Sequence, residues 1–380
     1  MLNSKLAGAL VAAGLLASPV AFAQNTIVLP NIIELSGGGA TVGTNWKNGV
    51  EMAIAEVNAA GGILGKKVEA MVVDTQTNPG VARAAIQKAL DDKPLVIFGP
   101  IYSGSVKATM QLTADAEVAQ IMGGEAGDLT AQGSKYIFRT SFGQNVSMPK
   151  LANYLRDGEK AKSVAVVYVN NDFGKGGRDA IIKELGSRNI KVAADVSTEA
   201  GQADFAADVI KLKSANADAI FIYLNEEESA RFLREAKKQG LNKPMIGETT
   251  LLGQKVIDLA GDAANGVKGH VGLTVDAPIP AVQAFGKKFE EKYKYKPDHN
   301  GMKGYIAVFM VKAAAEKAGK LDAKAIAAAL HGLTITPDKT PGILMEGTWD
   351  ETGEIDRISF LAEVKDGKQV ITQTLPKLKQ

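Results

Sequence analysis

Ser163-Val-Ala-Val-Val-Tyr-Val169 is the stretch that decides the fold of this 380-residue chain. It is continuously apolar, strand-length, and bounded by polar residues. A strand without polar alternation is covered on both faces, which is the condition of a parallel strand between helices. Working outward from it, the same rhythm runs in both directions. Downstream, Gly177 to Gly186 has helical spacing, followed by Val192 to Val196, Phe205 to Leu212, Ala219 to Leu224 and Glu228 to Gln239. Upstream, Thr26 to Ile33, Gly43 to Ala59, Val68 to Asp74, Val81 to Leu90, Leu95 to Phe98, Val106 to Ala116 and Ala119 to Met122 alternate in the same way. Two successive runs of this kind predict an α/β chain of two doubly wound, Rossmann-like lobes.

Three crossings between the lobes are expected. The first falls in Arg139-Thr-Ser-Phe-Gly-Gln-Asn145, the second in His270 to Asp276, and the third near Asp356. The expected division is residues 24–142 with 273–355 for one lobe and 143–272 with 356–380 for the other. Met345 to Asp350 and Ile358 to Val364 read as the two arms of a hairpin turning through Gly347 to Gly353.

Residues 1–23 read as a secretory leader. Lys5 is its basic start, Leu6 to Val20 its apolar run, and Ala21-Phe22-Ala23 its cleavage signal, so the exported chain should begin at Gln24. No cysteine follows to carry a lipid, and the protein is expected to work in the periplasm as a monomer. The formal charge of +2, one unit of it from Lys5, leaves no electrostatic footprint for nucleic acid or anionic membranes. The absence of cysteine removes disulfides and thiol chemistry. His270, His299 and His331 are the only histidines and have no metal-binding spacing. Gly65-Lys-Lys67 lacks the rest of a phosphate loop. Gly174-Lys-Gly-Gly-Arg-Asp179 approximates a dinucleotide loop but reads better as turn glycines. No G-x-S-x-G elbow seats a nucleophile. No enzyme and no cofactor are expected.

Two loops carry more. Gly99-Pro-Ile-Tyr-Ser-Gly-Ser-Val106 joins a buried strand to a helix, placing Ser103, Gly104 and Ser105 at the helix start. Free N–H groups and hydroxyls there suit a carboxylate, although a plain serine cap would read the same. The next strand ends in Met122-Gly-Gly-Glu-Ala-Gly-Asp128, whose small residues let a ligand approach the backbone. Glu125 is a lone carboxylate in that loop. It is expected to hold an ammonium group, the alternative being that it turns outward or pairs with a protein lysine or arginine.

These residues resemble the periplasmic ligand-binding proteins of branched-chain amino acid ABC transporters. The likeness runs through Leu35-Ser-Gly37, Gly49-Val-Glu-Met-Ala-Ile-Ala-Glu-Val-Asn58, Gly61-Gly-Ile-Leu-Gly65, Asp74-Thr-Gln-Thr-Asn-Pro79 and Phe98-Gly-Pro-Ile-Tyr-Ser103. It continues through Asn171-Asp-Phe-Gly174, Gly201-Gln-Ala-Asp-Phe205, Leu233 to Gly240 and Gly347-Thr-Trp-Asp350. The resemblance implies a type I periplasmic binding fold, two lobes on three hinge strands closing over one small ligand. It implies that Ser103 holds the ligand carboxylate, with Tyr102 and Ser105 beside it. Glu125 stands where the family commonly has threonine, Phe173 where tyrosine is frequent, and Asn225 where an aromatic is frequent. The acid that meets the ligand ammonium falls in Gly247-Glu-Thr249, at Glu248 or Thr249. The expected role is delivery of an amino acid, branched-chain or related, to an inner-membrane permease. The rivals are a ligand sensor presenting to a membrane receptor and a receptor for aromatic carboxylates.

Overall fold

The computed structural model describes residues 26–378, so the leader lies outside the described residues. In the first half, β1 (Thr26–Ile33), α1 (Ala40–Ala59), β2 (Lys67–Asp74), α2 (Pro79–Asp91), β3 (Val96–Phe98), α3 (Ser103–Asp115), β4 (Ala119–Met122), the single turn α4 (Asp128–Ala131) and β5 (Ile137–Arg139) alternate as expected. The five strands form one parallel sheet in the order β2-β1-β3-β4-β5.

The chain then passes to a second sheet through α5 (Gln144–Asp157). There follow β6 (Ser163–Val169), α6 (Asp172–Gly186), β7 (Lys191–Thr198), α7 (Ala206–Ala215), β8 (Ala219–Tyr223), α8 (Glu226–Lys238), β9 (Met245–Gly247), α9 (Gln254–Ala260) and β10 (Lys268–Val271). Val164 to Val167 of β6 are wholly buried, as a strand with helices on both faces requires. The parallel part of this sheet runs β7-β6-β8-β9-β10, repeating the order of the first.

Three helices come next, α10 (Pro280–Tyr293), α11 (His299–Ala318) and α12 (Ala323–Leu330). They return to the first sheet's side, where α11 lies along α1. Gly49 and Gly304 permit that approach. A Cβ on Gly49 would lie 2.0 Å from the Gly301 carbonyl oxygen, and one on Gly304 would lie 2.3 Å from that of Trp46. Asp298 caps α11 by accepting from the Asn300 and Gly301 N–H groups.

The tail departs from the expected hairpin. β11 (Thr334–Ile335), β12 (Gly347–Trp349) and β13 (Ile355–Asp356) make a small antiparallel sheet, with Trp349 opposite Ile355. The apolar run after Asp356 is instead β14 (Ser359–Lys365), which pairs antiparallel with β10 and with β15 (Lys368–Leu375) on the second sheet. The two runs therefore belong to different sheets. An apolar strand pattern says that a strand is buried, not which neighbour buries it.

In each sheet the strand order reverses once, between β1 and β3 in the first and between β6 and β8 in the second. At such reversals the loops leave the carboxyl ends of neighbouring strands in opposite directions and open a crevice. The two crevices face each other.

A cleft between the two sheets

A cavity of about 670 Å³ lies where those crevices meet. From the first sheet it takes the loop after β1 (Gly37, Gly38), the loop after β3 with the start of α3, the loop after β4 (Gly123, Glu125), and the first turn of α11 (His299, Asn300, Lys303). From the second it takes Asn171 to Phe173 after β6, Gly201, Asn225 to Glu228 after β8, and Thr250.

The loop expected from the sequence to seat a carboxylate lines this cavity through Tyr102, Ser103 and Ser105. Ser103 opens the 13-residue α3, and its N-cap Tyr102 offers no side-chain cap. The first N–H groups of the helix are therefore left to the cavity. Glu34, buried beneath, accepts from the Ile101 and Tyr102 N–H groups at 3.0 and 3.1 Å and also bonds Ser105, which pins the loop in place. Burial pushes the Glu34 carboxyl above its usual range. Ser103 Oγ accepts from the Glu125 and Ala126 N–H groups, each at 3.2 Å. With both lone pairs of its oxygen engaged, its proton remains to donate to a ligand. Ser105 lines the cavity too, but its hydroxyl is engaged with Glu34. The Tyr102 hydroxyl donates to the Gly38 carbonyl at 3.2 Å.

Glu125 is not the unpaired anion that its loop suggests. Its carboxylate accepts from Lys303 Nζ at 2.5 Å, and the same ammonium donates to the Gly123 carbonyl at 3.2 Å. Lys303 is 1% exposed. The expected ammonium thus comes from the protein itself, and Glu125 with Lys303 forms a buried neutral pair. His299 Nε2 lies 3.8 Å from Glu125. Desolvation, and secondarily the Lys303 charge, holds His299 well below its usual range, so its imidazole is neutral.

The Gly123–Gly127 loop is held from behind by Arg139. Its guanidinium pairs with Glu354 at 2.8 Å and donates to the Gly124 and Ala126 carbonyls. Glu354 in turn accepts from Thr130 Oγ1 and the Gly143 N–H, so strand-end, loop and crossing share one buried network.

Phe173 lines the cavity and stacks on Tyr223, with ring centroids 4.2 Å apart. Asn225 also lines it, its amide tied to Glu228 at 2.9 Å. Glu226, beside it, has its carboxyl pushed up to about 8, first by desolvation and then by the negative charges of Asp298 and Glu125. Gly174, Gly176 and Gly177, the glycines of the near-dinucleotide motif, lie inside α6 rather than in a turn. Gly177 lets the Tyr223 ring close against the helix, since a Cβ there would sit 2.1 Å from that ring.

Glu248 and Thr249 are not among the residues lining the main cavity. Glu248 is 3% exposed and is engaged with His270 Nδ1 at 2.8 Å and the Thr249 N–H at 2.6 Å. Thr249 accepts from the Gly272 N–H and lines a much smaller neighbouring pocket. Thr250, one residue on, reaches the main cavity, and its buried hydroxyl has no hydrogen-bond partner in the structure. His299 Nδ1 shares that condition.

Lys303, His299 and Glu226 are not among the ligand neighbours expected from the sequence. A signal for Lys303 exists: it is a lone charge inside Gly301-Met-Lys-Gly-Tyr-Ile-Ala-Val-Phe-Met-Val311, a helix buried nearly all round. A charge at such a position needs a partner.

Residues 26–369 match the family described as "Periplasmic binding protein". The leucine-, isoleucine-, valine-, threonine- and alanine-binding protein of Pseudomonas aeruginosa is 28% identical over 359 residues, 94% of each chain. Among solved structures, the branched-chain amino acid substrate-binding protein LivJ of Streptococcus pneumoniae, in complex with isoleucine, aligns with a TM-score of 0.83 at 24% identity. That alignment covers 93% of this chain and 99% of the other. A solute-binding protein from R. palustris in complex with benzoate aligns at 0.84 and 21% identity, covering 93% and 98%. The two structural likenesses speak to the fold, the type I periplasmic binding arrangement of two parallel-sheet lobes.

Proposed function

The chain belongs to the periplasmic binding protein family, a family of non-enzymatic transport receptors, and from that premise we propose that it is the extracytoplasmic solute-binding component of an ABC importer. It takes a small carboxylate into the cleft between its lobes and delivers it to an inner-membrane permease. The observation that carries this reading is the start of α3. An uncapped helix N-terminus and a serine hydroxyl with its lone pairs already engaged both open on the cavity. Together they offer several N–H and O–H donors and the positive end of a helix dipole, which is the chemistry a carboxylate needs.

Tyr102, Ser103, Phe173 and Asn225 are the expected ligand neighbours, with Thr250 and His299 joining them in place of Glu248 and Thr249. The lobes, residues 24–142 with 273–355 and 143–272 with 356–380, turn on crossings near Phe142, Gly272 and Asp356. Both ligand classes named for relatives, branched-chain amino acids and aromatic acids, carry the group this seat accepts. A thermal-shift screen of the exported protein against carboxylic acids tests the reading, because a ligand that binds only the native state raises the melting temperature. The seat requires that active compounds lose their effect when the carboxylate is replaced by a primary amide. Equal shifts from acid and amide would refute it.

A further inference from the structure

We infer that the cleft selects carboxylates carrying no ammonium group on the carbon next to the carboxylate, because Lys303 fills the place that group would take. This rests on the carboxylate reading of the α3 terminus and narrows its ligand class.

The geometry is local. In an α-amino acid the nitrogen lies about 2.5 Å from the carboxylate carbon, so wherever the carboxylate is seated the ammonium follows within one contact. An ammonium needs three acceptors, or a carboxylate. Two acceptors beside the seat are the Glu125 side chain and the Gly123 carbonyl; the unpartnered Thr250 hydroxyl and His299 Nδ1, elsewhere in the lining, are neutral. Glu125 is one hydrogen bond away, since its own N–H donates to Ser103 Oγ. The Lys303 ammonium, itself almost wholly buried, donates to Oε1 of Glu125 and to the Gly123 carbonyl, and leaves Glu125 no net charge to offer a second cation.

A ligand ammonium arriving there would meet a like charge at close range in a desolvated site. The other carboxylates near the seat are engaged elsewhere. Glu34 accepts from Ile101, Tyr102 and Ser105. Glu228 accepts from Gly201 and Asn225. Glu227 pairs with Arg231. Asp172, beside Gly104, pairs with Lys107. Glu226 lines the cavity from the opposite lobe, at the start of α8, but its carboxyl is pushed up to about 8 and is mostly neutral at pH 7. A monocarboxylate without the α-ammonium meets none of this conflict, and the Glu125–Lys303 pair presents it with no net charge.

The test is isothermal titration calorimetry of the exported protein at pH 7 with matched pairs: 4-methylpentanoate against L-leucine, 3-phenylpropanoate against L-phenylalanine, and benzoate alone. The inference expects benzoate or one of the desamino acids to bind. In any matched pair that binds, the desamino acid should be at least 100-fold tighter than its amino acid. Tighter binding of either amino acid overturns the inference and leaves the carboxylate seat standing. Binding by none of the five overturns the seat, and the inference with it. Lys303→Met frees Glu125 and Gly123 and should move the ratio toward the amino acid by at least tenfold. Should that variant fold poorly by circular dichroism, Lys303→Met/Glu125→Gln removes both charges together and should retain the desamino preference. A preference for amino acids in that double variant would contradict the role given to Lys303.

Discussion

Glu226 makes the affinity of the cleft depend on pH in a direction that can be worked out beforehand. Its carboxyl lines the cavity at the start of α8 and is pushed up to about 8, chiefly by desolvation and further by Asp298 and Glu125, with Lys303 opposing. Below that value it is protonated and neutral, and above it a carboxylate faces the incoming anion. About nine-tenths is protonated at pH 7 and about one-tenth at pH 9. A ligand that enters only the protonated form should therefore lose about tenfold in affinity between the two, or about 1.4 kcal/mol. Near pH 8 the free protein is half protonated and the complex nearly fully so. Binding should then take up about 0.5 proton, readable by calorimetry in buffers of different ionisation enthalpy.

Three other groups need separating from it, one of them Arg357, which desolvation pushes down to about 9. Asp298 is raised to about 6 and has finished titrating before this window. Lys150, at the first crossing, is pushed down by desolvation to about 8 and titrates within it. Glu226→Gln discriminates between them: it should flatten the profile and abolish the proton uptake if Glu226 is the source. A dissociation constant unchanged from pH 7 to pH 9, or a slope that survives in Glu226→Gln, would refute the reasoning.

Ser103→Ala removes one donor to a charged acceptor and should weaken carboxylate binding by about 0.5–3 kcal/mol in calorimetry, and it should lower the melting temperature because the Glu125 and Ala126 N–H groups lose their acceptor. Arg139→Met leaves Glu354 buried without its cation and should cost about 3–5 kcal/mol in urea unfolding, part of which the double variant Arg139→Met/Glu354→Leu should restore. Ligand that closes the lobes should reduce the radius of gyration in solution scattering, and an unchanged radius with binding confirmed would remove the hinge reading of Phe142, Gly272 and Asp356.

What could be read from the chain was what is local. Val164 to Val167 announce a doubly covered strand because every side chain in the run is apolar, and no distant residue can change that. Ser103 announces a helix start facing a crevice for a similar reason: a strand, a short loop and a helix in that order place it at the carboxyl end of a parallel strand. What could not be read was pairing at long range. Ile358 to Val364 is equally apolar whether Trp349 or His270 is its neighbour, and β10, near residue 270, is the one that takes it. Glu248 in its own loop looks as free as Glu125, until His270 arrives from 22 residues away.

The consequence is sharpest at Glu125, because there a missing partner changes the chemistry and not just the topology. Glycines and alanine around a carboxylate are what an ammonium site looks like over seven residues. The cation that completes it stands 178 positions later on α11. It is delivered there by the contact of α11 with α1, which Gly49 and Gly304 permit. One observation in the sequence still constrained the answer. A lysine amid the apolar residues of α11 has to be neutralised somewhere inside the protein, and a carboxylate amid glycines has to be neutralised as well. Two buried charges of opposite sign, each without a local partner, are more economically explained by each other than by a ligand. Lys303 and Glu125 are such a pair, so a lysine inside an apolar helix counts against reading the loop carboxylate as an open ammonium site.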